Sequence, residues 1–455
     1  MTAKKQKMEK RIAIVISVII TAIIVGSATY LVIPKEEELT VDDVKTFVEE
    51  ASESTVKDIL SVVSGDILMD SLPDPEPVKI GQIWPLSGAQ KQSGEKHQRG
   101  FELRVKEVND AGGIKSLRGA KVEFETGNNQ GDPSTSRSEA ERLIGQQNVS
   151  ALVGCYTSDT TLPTAEICQR EKVPLMVCAG NPAIPATGDY IYRAHNGIFE
   201  TVDVSLSFLK KNMDVQKISL LMEDAGYGPP AFKVTQSFAG KMGFEIVSAE
   251  KFPAGKTSFK SELLKIKEAN PDAIIWVGYI SESIAFVQQM KQYDVNVDAL
   301  IQPGGGGLND FDFVEGVGSL ANYCLVGTYY SKAAPTFHNE EFKQRYEEEY
   351  GQPADFLAEE AYEATAVLLN AIERAGSRDP ADIRDAIADT HMVWTAGPVV
   401  FGEHQYAPDK FKGSGFNTYN NSVVVQVQNG EFETVYPAPV ATAEPQLPMP
   451  NWDER

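Results

Sequence analysis

The sequence predicts an α/β protein built as two doubly wound parallel-sheet lobes. Short apolar runs of strand length alternate with amphipathic helical stretches from Val78 onward, and such alternation specifies a parallel sheet covered on both faces. The alternation comes as two successive runs, each with its own set of turns, which gives one lobe per run. Within the first run, Ala151–Pro182 reads as a strand, a helix and a second strand, a βαβ unit whose ligand-facing positions are the turns at the carboxyl ends of its strands. Those turns, Cys155–Thr161 and Cys178–Pro182, hold hydroxyl and small residues, no base and one acid. They are suited to holding a small molecule and leaving it unchanged.

Composition narrows the function classes. At 455 residues the chain has room for two or three domains. Its 64 acidic against 42 basic residues leave a net charge of −22, the wrong sign for a nucleic-acid partner. The four cysteines (Cys155, Cys168, Cys178 and Cys324) lack metal-ligand spacing and only five histidines accompany them, so neither a zinc site nor another cofactor is expected. A Ser–His–Asp spacing, a nucleophile elbow and a complete dinucleotide fingerprint are all missing. An enzyme is not expected.

The amino-terminal part carries a different pattern. Residues 1–11 form a basic segment, and Ile12–Ile33 is an uncharged apolar run that spans about 33 Å as a helix, enough to cross a bilayer. Basic residues before it and Glu36–Glu38 after it predict a single-pass cell-membrane anchor with a cytoplasmic amino terminus and an extracellular body. A cleaved signal peptide is the competing reading. Residues 34–77 read as a helical stalk, with Val41, Val44, Val48, Val56, Ile59, Leu60 and Val63 at helical spacing. It suits either a short coiled coil or a helix lying on a surface. Pro73–Pro77 ends it as a stiff linker.

The body then follows in order. A strand at Val78–Trp84 leads through Pro85–Gly88 into a helix ending at Asp110, where Gly112 and Gly113 stop it. Lys121–Glu125 is the next strand and Ser134–Gln146 the next helix, followed by the βαβ unit above. The second run comprises strands at Ile218–Met222, Phe244–Val247, Ala273–Gly278 and Ala299–Gln302, with helices Ala231–Met242, Phe259–Ala269 and Ser283–Gln292 between them. After a strand reaching Gly327–Tyr330, helices Asn339–Tyr350, Phe356–Ala375 and Pro380–Ala388 pack back on the first lobe. Late strands are expected at Pro398–Phe401 and Ser422–Gln428. The proline-rich residues 436–455 are expected to be disordered.

Seven motifs in this order resemble one family. WPLSGAQKQSGEKHQRGFELRVKEVNDAGGI, NNQGDPSTSRSEAERLI, VGCYTSDT and PLMVCAGNP in the first lobe, with LLMEDAGYG, IIWVGYISES and IQPGGGG in the second, are similar to the type I periplasmic solute-binding proteins of the branched-chain amino acid and amide class of ABC transporters, the leucine-binding-protein-like group. The resemblance covers about Val78–Gln428. It implies a periplasmic-binding-protein-like I fold, a two-lobed clamp whose chain crosses between lobes near Ile198, Leu325–Thr328 and Thr395–Pro398. Lobe 1 would then be 78–198 plus 329–396, and lobe 2 would be 199–328 plus 397–435.

The resemblance also implies site residues. Ser158 matches the serine that binds a ligand carboxylate or amide oxygen; its place at a helix start, where N–H groups are free, favours an oxygen anion. The alternative is that Ser158 or Asp159 caps that helix. Tyr156 occupies an adjacent lining position, as ligand contact or as packed core, and its context GCYTS is closer to the amide- and urea-binding branch. Cys178, Ala179 and Gly180 match the second ligand turn, with backbone groups alone to offer. Tyr227 and Tyr279 match aromatics that close over the ligand from lobe 2, and either also suits plain packing. Glu282 is the candidate partner for a ligand ammonium, against the alternative of an exposed helix-start acid. Gly304 stands where amino-acid binders carry an acid, a departure that disfavours an ordinary α-amino acid. Ser93 replaces an aromatic lid residue, so a more open pocket is expected on that side. Cys155 and Cys178 end neighbouring strands and suit either a disulfide or two buried thiols.

The resemblance thus implies an extracellular, membrane-anchored protein that captures an amino acid or a short amide or urea compound by hinge closure and passes it to the permease and ATPase subunits of an ABC importer. A sensory ectodomain of the same fold, signalling through a partner protein, is the alternative.

Overall fold

The computed structural model describes residues 75–403 and 415–455. The expected anchor, the stalk and the first two residues of the linker lie outside these residues. Among the described residues, no helix is long and apolar enough to cross a membrane.

Lobe 1 is laid down first. Strand β1 (Val78–Trp84) leads to α1 (Lys91–Asp110), and β2 (Val122–Asn128) to α2 (Pro133–Gly145). The Asp132 carboxylate accepts the Thr135 N–H, and Pro133 fills the first turn, where no N–H is needed. Then β3 (Leu152–Gly154), α3 (Ser158–Glu171), β4 (Leu175–Met176) and β5 (Ile191–Tyr192) complete a parallel sheet of order β2-β1-β3-β4-β5.

Helix α4 (Ile198–Asn212) opens lobe 2. It is followed by β6 (Lys217–Glu223), α5 (Gly228–Met242), β7 (Glu245–Phe252), α6 (Lys260–Ala269), β8 (Ala273–Val277), α7 (Ile280–Gln292), β9 (Ala299–Pro303), α8 (Phe311–Val317) and β10 (Leu325–Thr328). The chain returns to lobe 1 for α9 (Phe337–Tyr350), α10 (Phe356–Ala375) and α11 (Pro380–Ala388). A small antiparallel sheet of β11 (His391–Val393), β12 (Pro398–Gly402) and β13 (Phe416–Asn417) follows. Strands β14 (Val423–Gln428) and β15 (Glu431–Tyr436) then add antiparallel edges to lobe 2, giving the order β15-β14-β10-β9-β8-β6-β7. The parallel parts of both sheets wind alike, outward from β1 and from β6, although no repeated motif marks this in the sequence.

Each lobe buries its own core. Trp84, Phe101, Val367 and Leu368 cluster in lobe 1, and α10 is buried on nearly every face, with α1 and α11 packed against it. In lobe 2, Trp276 is stacked between Phe252 and Phe286 at ring-centroid distances of 5.0 and 4.1 Å.

Two expectations are corrected. The third crossing lies at Asn417–Ser422 and not at Thr395–Pro398. Val399 is buried in the lobe 1 core, Phe401 packs on Tyr192, and Phe416 bridges to Arg193, so β12 and β13 stay with lobe 1. Residues 436–455 are ordered and pack on lobe 2. Met449 and Trp452 are 4 % and 7 % exposed in its core cluster, the Trp452 indole donates to Val295 O at 2.7 Å, and the Gln426 and Gln428 amides donate to backbone carbonyls of Gln446 and Glu444. Proline richness removes donors, but these side chains anchor the segment without a ladder of its own.

Trp452→Ala should therefore destabilise the protein by about 3 kcal/mol or more, as for other buried aromatic truncations, measured as a lower urea midpoint. A disordered tail would leave that midpoint unchanged.

Candidate functional site

The carboxyl ends of β1, β3 and β4 in lobe 1 face those of β6, β8 and β9 in lobe 2, as open α/β sheets place their ligand crevices. Between them lies a cleft pocket with ≈ 430 Å³ of atom-free space, the solvent at its mouth included. Of the residues expected there, Tyr156, Ser158, Cys178, Ala179, Gly180, Tyr227, Tyr279 and Gly304 line it.

The lobe 1 wall begins at the start of α3. Thr157 precedes that helix without a side-chain cap bond, and the first N–H groups of a helix have no partner within it. Ser158 is 2 % exposed, and its hydroxyl has no hydrogen-bond partner among the described residues. The capping role is thus unfilled by Ser158. Asp159, whose carboxyl burial raises, instead faces lobe 2, where the Gly226 N–H meets it. At the second turn, the buried Arg193 guanidinium donates to Ala179 O at 3.3 Å and Asn181 O at 3.4 Å, fixing the backbone beside Cys178.

From lobe 2, the Tyr227 ring lies against Gly180, but its hydroxyl donates to Pro303 O at 2.9 Å and sits 3.4 Å from Thr201 Oγ1. Its ring, rather than its hydroxyl, is offered to the cavity. Tyr279 meets Tyr156 edge to face at 5.8 Å across the cleft. Gly304 sits at φ +68°, and a Cβ there would run into the Tyr227 hydroxyl, so a side chain of any kind is excluded. The lobes touch further out as well: Lys96 Nζ on α1 pairs with Asp310 at 2.8 Å and Asp312 at 3.1 Å on lobe 2, and with Asp355 at 3.1 Å on its own lobe.

Glu282 is the expected residue that does not line the cavity. Its carboxylate accepts the Gly255 N–H at 2.7 Å and the Ser281 hydroxyl at 2.9 Å. Ser93 opens nothing, because it is buried on α1 and its carbonyl contacts His97 Nδ1 at 2.7 Å. All four cysteines are free buried thiols; Cys155 Sγ lies 3.4 Å from the hydroxyls of Ser136 and Thr164. Among the described residues, no cluster of His, Cys, Asp and Glu is placed to hold a metal ion.

Sequence reasoning missed His195, Tyr329, Phe356 and Glu360, all lining the cavity. A signal for Glu360 was present. Three glutamates, Glu359, Glu360 and Glu363, sit in a stretch otherwise apolar on every face, and buried acids of that kind need a stated partner. For Glu360 the partners are imidazoles. Burial pushes its carboxyl up, but His195 and His97 outweigh that and hold it at about 2.

Known proteins can now be set beside this geometry. The model of the periplasmic binding protein family matches residues 77–431. The chain belongs to that family. It is 25% identical over 412 residues to Leu/Ile/Val-binding protein homolog 7 of Brucella suis biovar 1, covering 86% of this chain and 100% of the relative. Homolog 8 of Brucella melitensis is 28% identical over 383 residues, 81% of this chain and 92% of that protein. Among solved structures, the branched-chain amino acid transporter substrate-binding protein LivJ of Streptococcus pneumoniae, in complex with isoleucine, superposes with a TM-score of 0.70 at 24% identity, over 80% of this chain and 100% of that one. A solute-binding protein of an ABC transporter from R. palustris, in complex with benzoate, gives 0.68 at 18% identity over 79% and 95%. This member of the family is a solute-binding protein and not an enzyme.

The cleft also makes a pH prediction. Burial first, then the charges of Glu282 and Asp159, push the Glu223 carboxyl at the end of β6 up to about 8. Between the ordinary carboxylate range and about pH 8 the folded chain holds a proton that the unfolded chain has released, so stability falls as pH rises through that window. Glu223→Gln should match the wild type near pH 4 and exceed it by on the order of 2 kcal/mol near pH 9 in urea unfolding. Parallel pH profiles for the two proteins would contradict this assignment.

Proposed function

We propose that the protein captures a small ligand by hinge closure, holding a carboxylate or amide oxygen at Ser158 and the open N–H groups of α3. The observation that carries this reading is the buried, unpartnered Ser158 hydroxyl in a cavity between two lobes. A buried hydroxyl without a partner is costly, and a ligand oxygen removes the cost. Cys178, Ala179, Gly180 and Gly304 supply backbone groups around the ligand, and Tyr156, Tyr227 and Tyr279 enclose its body. Amino acids and short amide or urea compounds are the classes that the motifs favour, and the names of the relatives above support a small organic ligand.

The wider reading places the body outside the cell, tethered through Ile12–Ile33, where it hands its ligand to the permease and ATPase of an ABC importer. The apolar run with its basic flank supports the tether.

Isothermal titration of the wild type with amino-acid, organic-acid, amide and urea panels tests capture. One class should give saturable heat, and Ser158→Ala should weaken that ligand roughly tenfold or more, as for loss of a bond to a charged oxygen. Binding that is indifferent to Ser158→Ala would overturn the role of this serine.

A further inference from the structure

Lys96 on α1 carries a side chain only 16 % exposed, and the capture reading gives it no task. Its ammonium lies 2.8 Å from Asp310 Oδ1 and 3.1 Å from Asp312 Oδ2, both at the start of α8 in lobe 2. It also lies 3.1 Å from Asp355 Oδ2, at the start of α10 in its own lobe. Ion pairs between exposed, flexible side chains contribute little, but two of these carboxylates are neither exposed nor free to turn. The Asp310 and Asp355 side chains are 0 % and 7 % exposed. Each caps its helix: Asp310 Oδ1 accepts the Asp312 N–H at 2.8 Å, and Asp355 Oδ1 accepts the Leu357 and Ala358 N–H groups at 3.1 and 3.0 Å. Capping fixes both carboxylates within their own lobes, so the ammonium meets groups already in place.

Three carboxylates face this one ammonium. Burial works against the Lys96 charge, but Asp355, Asp310 and Asp312 outweigh it and push its pKa up, so it stays charged. Asp310 has a second oxygen, Oδ2, that is buried with no hydrogen-bond partner among the described residues. Burial pushes this carboxyl up to about 6; Lys96 draws it down, and Asp355 pushes it up from across the lobe boundary. Without the ammonium, bringing the lobes together sets Asp310 against Asp355, each shut away from water. Removing one partner of a buried pair is costly for that reason. Lys96 therefore sets the sign of the interaction between the lobes at this point: attraction with it, repulsion or a forced protonation without it.

Two ring contacts belong to the same arrangement of the lobes. The Tyr227 ring of lobe 2 lies against Gly180 of lobe 1, and the Tyr156 hydroxyl of lobe 1 lies where a Cβ on Gly306 of lobe 2 would collide with it. These contacts limit how far the lobes approach and add little polar attraction. We propose that Lys96 is a closure clasp: an ammonium carried by lobe 1 that docks on Asp310 and Asp312 when the cleft shuts. It does not line the cavity, so it acts as a positioning residue. This rests on the capture reading and adds how the shut state is held. The apparent affinity of a ligand scales with the fraction of protein able to close on it, so loss of the clasp lowers affinity from a distance.

The test is titration calorimetry of the full-length chain with isoleucine, benzoate, acetamide and urea, in the wild type, in Lys96→Met and in Lys96→Met/Asp310→Asn. A probe that binds the wild type should bind Lys96→Met roughly tenfold or more weakly. Asparagine keeps the cap of α8 without the charge, so the double variant should recover most of that loss. A side chain that merely supports the fold would not be rescued in this way. Lys96→Met binding at wild-type affinity overturns the clasp, as does a double variant no better than the single one, and both results leave capture standing. Silence from all four probes overturns capture for these classes, and carbodiimide coupling of the wild type then decides the clasp by itself. The reagent joins the Lys96 amine to a carboxylate as an amide and takes up the water lost. Peptide mass spectrometry should find Lys96 joined to Asp312 or Asp310 as well as to Asp355. Coupling to Asp355 alone, or none at all, overturns the clasp.

Discussion

Three chain crossings tie the two lobes at one edge, and Asn196 and Asn417 pin the first of them to the third. The Asn196 amide donates to Tyr419 O at 2.7 Å, and its oxygen accepts the Asn421 N–H at 2.7 Å, which joins the first crossing to the third. Asn417 adds a bond to Ala194 O at 2.7 Å. These bonds hold the crossings in register while leaving each lobe its own sheet and core. For the capture proposed above, a hinge of this kind would convert small dihedral changes at a few residues into closure of the whole cleft.

Chemistry at the cleft follows from what the two sheets present there. Lobe 1 supplies a helix start with an unsatisfied hydroxyl and a turn whose carbonyls Arg193 already holds, so polar recognition is concentrated on that side. Lobe 2 supplies rings and glycine backbone. Gly304, Gly306 and Gly180 let the facing tyrosines approach so closely that a Cβ at any of these three would collide.

The sequence made the lobes legible because strand and helix periods differ and turn residues separate them. Helices Phe356–Ala375 and Pro380–Ala388 are observed at the bounds read from pattern alone. Two-residue strands such as β4 and β5 carry too little pattern to set a boundary, and β5 went unread. The third crossing was misplaced because β12 has the alternation of any edge strand, and only Val399 in the lobe 1 core assigns it. At the cavity, turn residues beside strands were readable, since their sequence positions fix where they point. His195 was not, because it comes from a crossing segment; the acids within an otherwise apolar helix were a signal for Glu360, but only tertiary packing brings the two to one wall. The ordered tail hid for a related reason: its anchors, Met449 and Trp452, are single residues among prolines.

Solution scattering with and without ligand addresses the clamp most directly. The radius of gyration of the ligand-free protein should exceed that of the ligand-saturated protein, and the latter curve should match one calculated from the touching-lobe arrangement with Lys96 paired to Asp310. A ligand that saturates the site while leaving the scattering curve unchanged would contradict capture by closure.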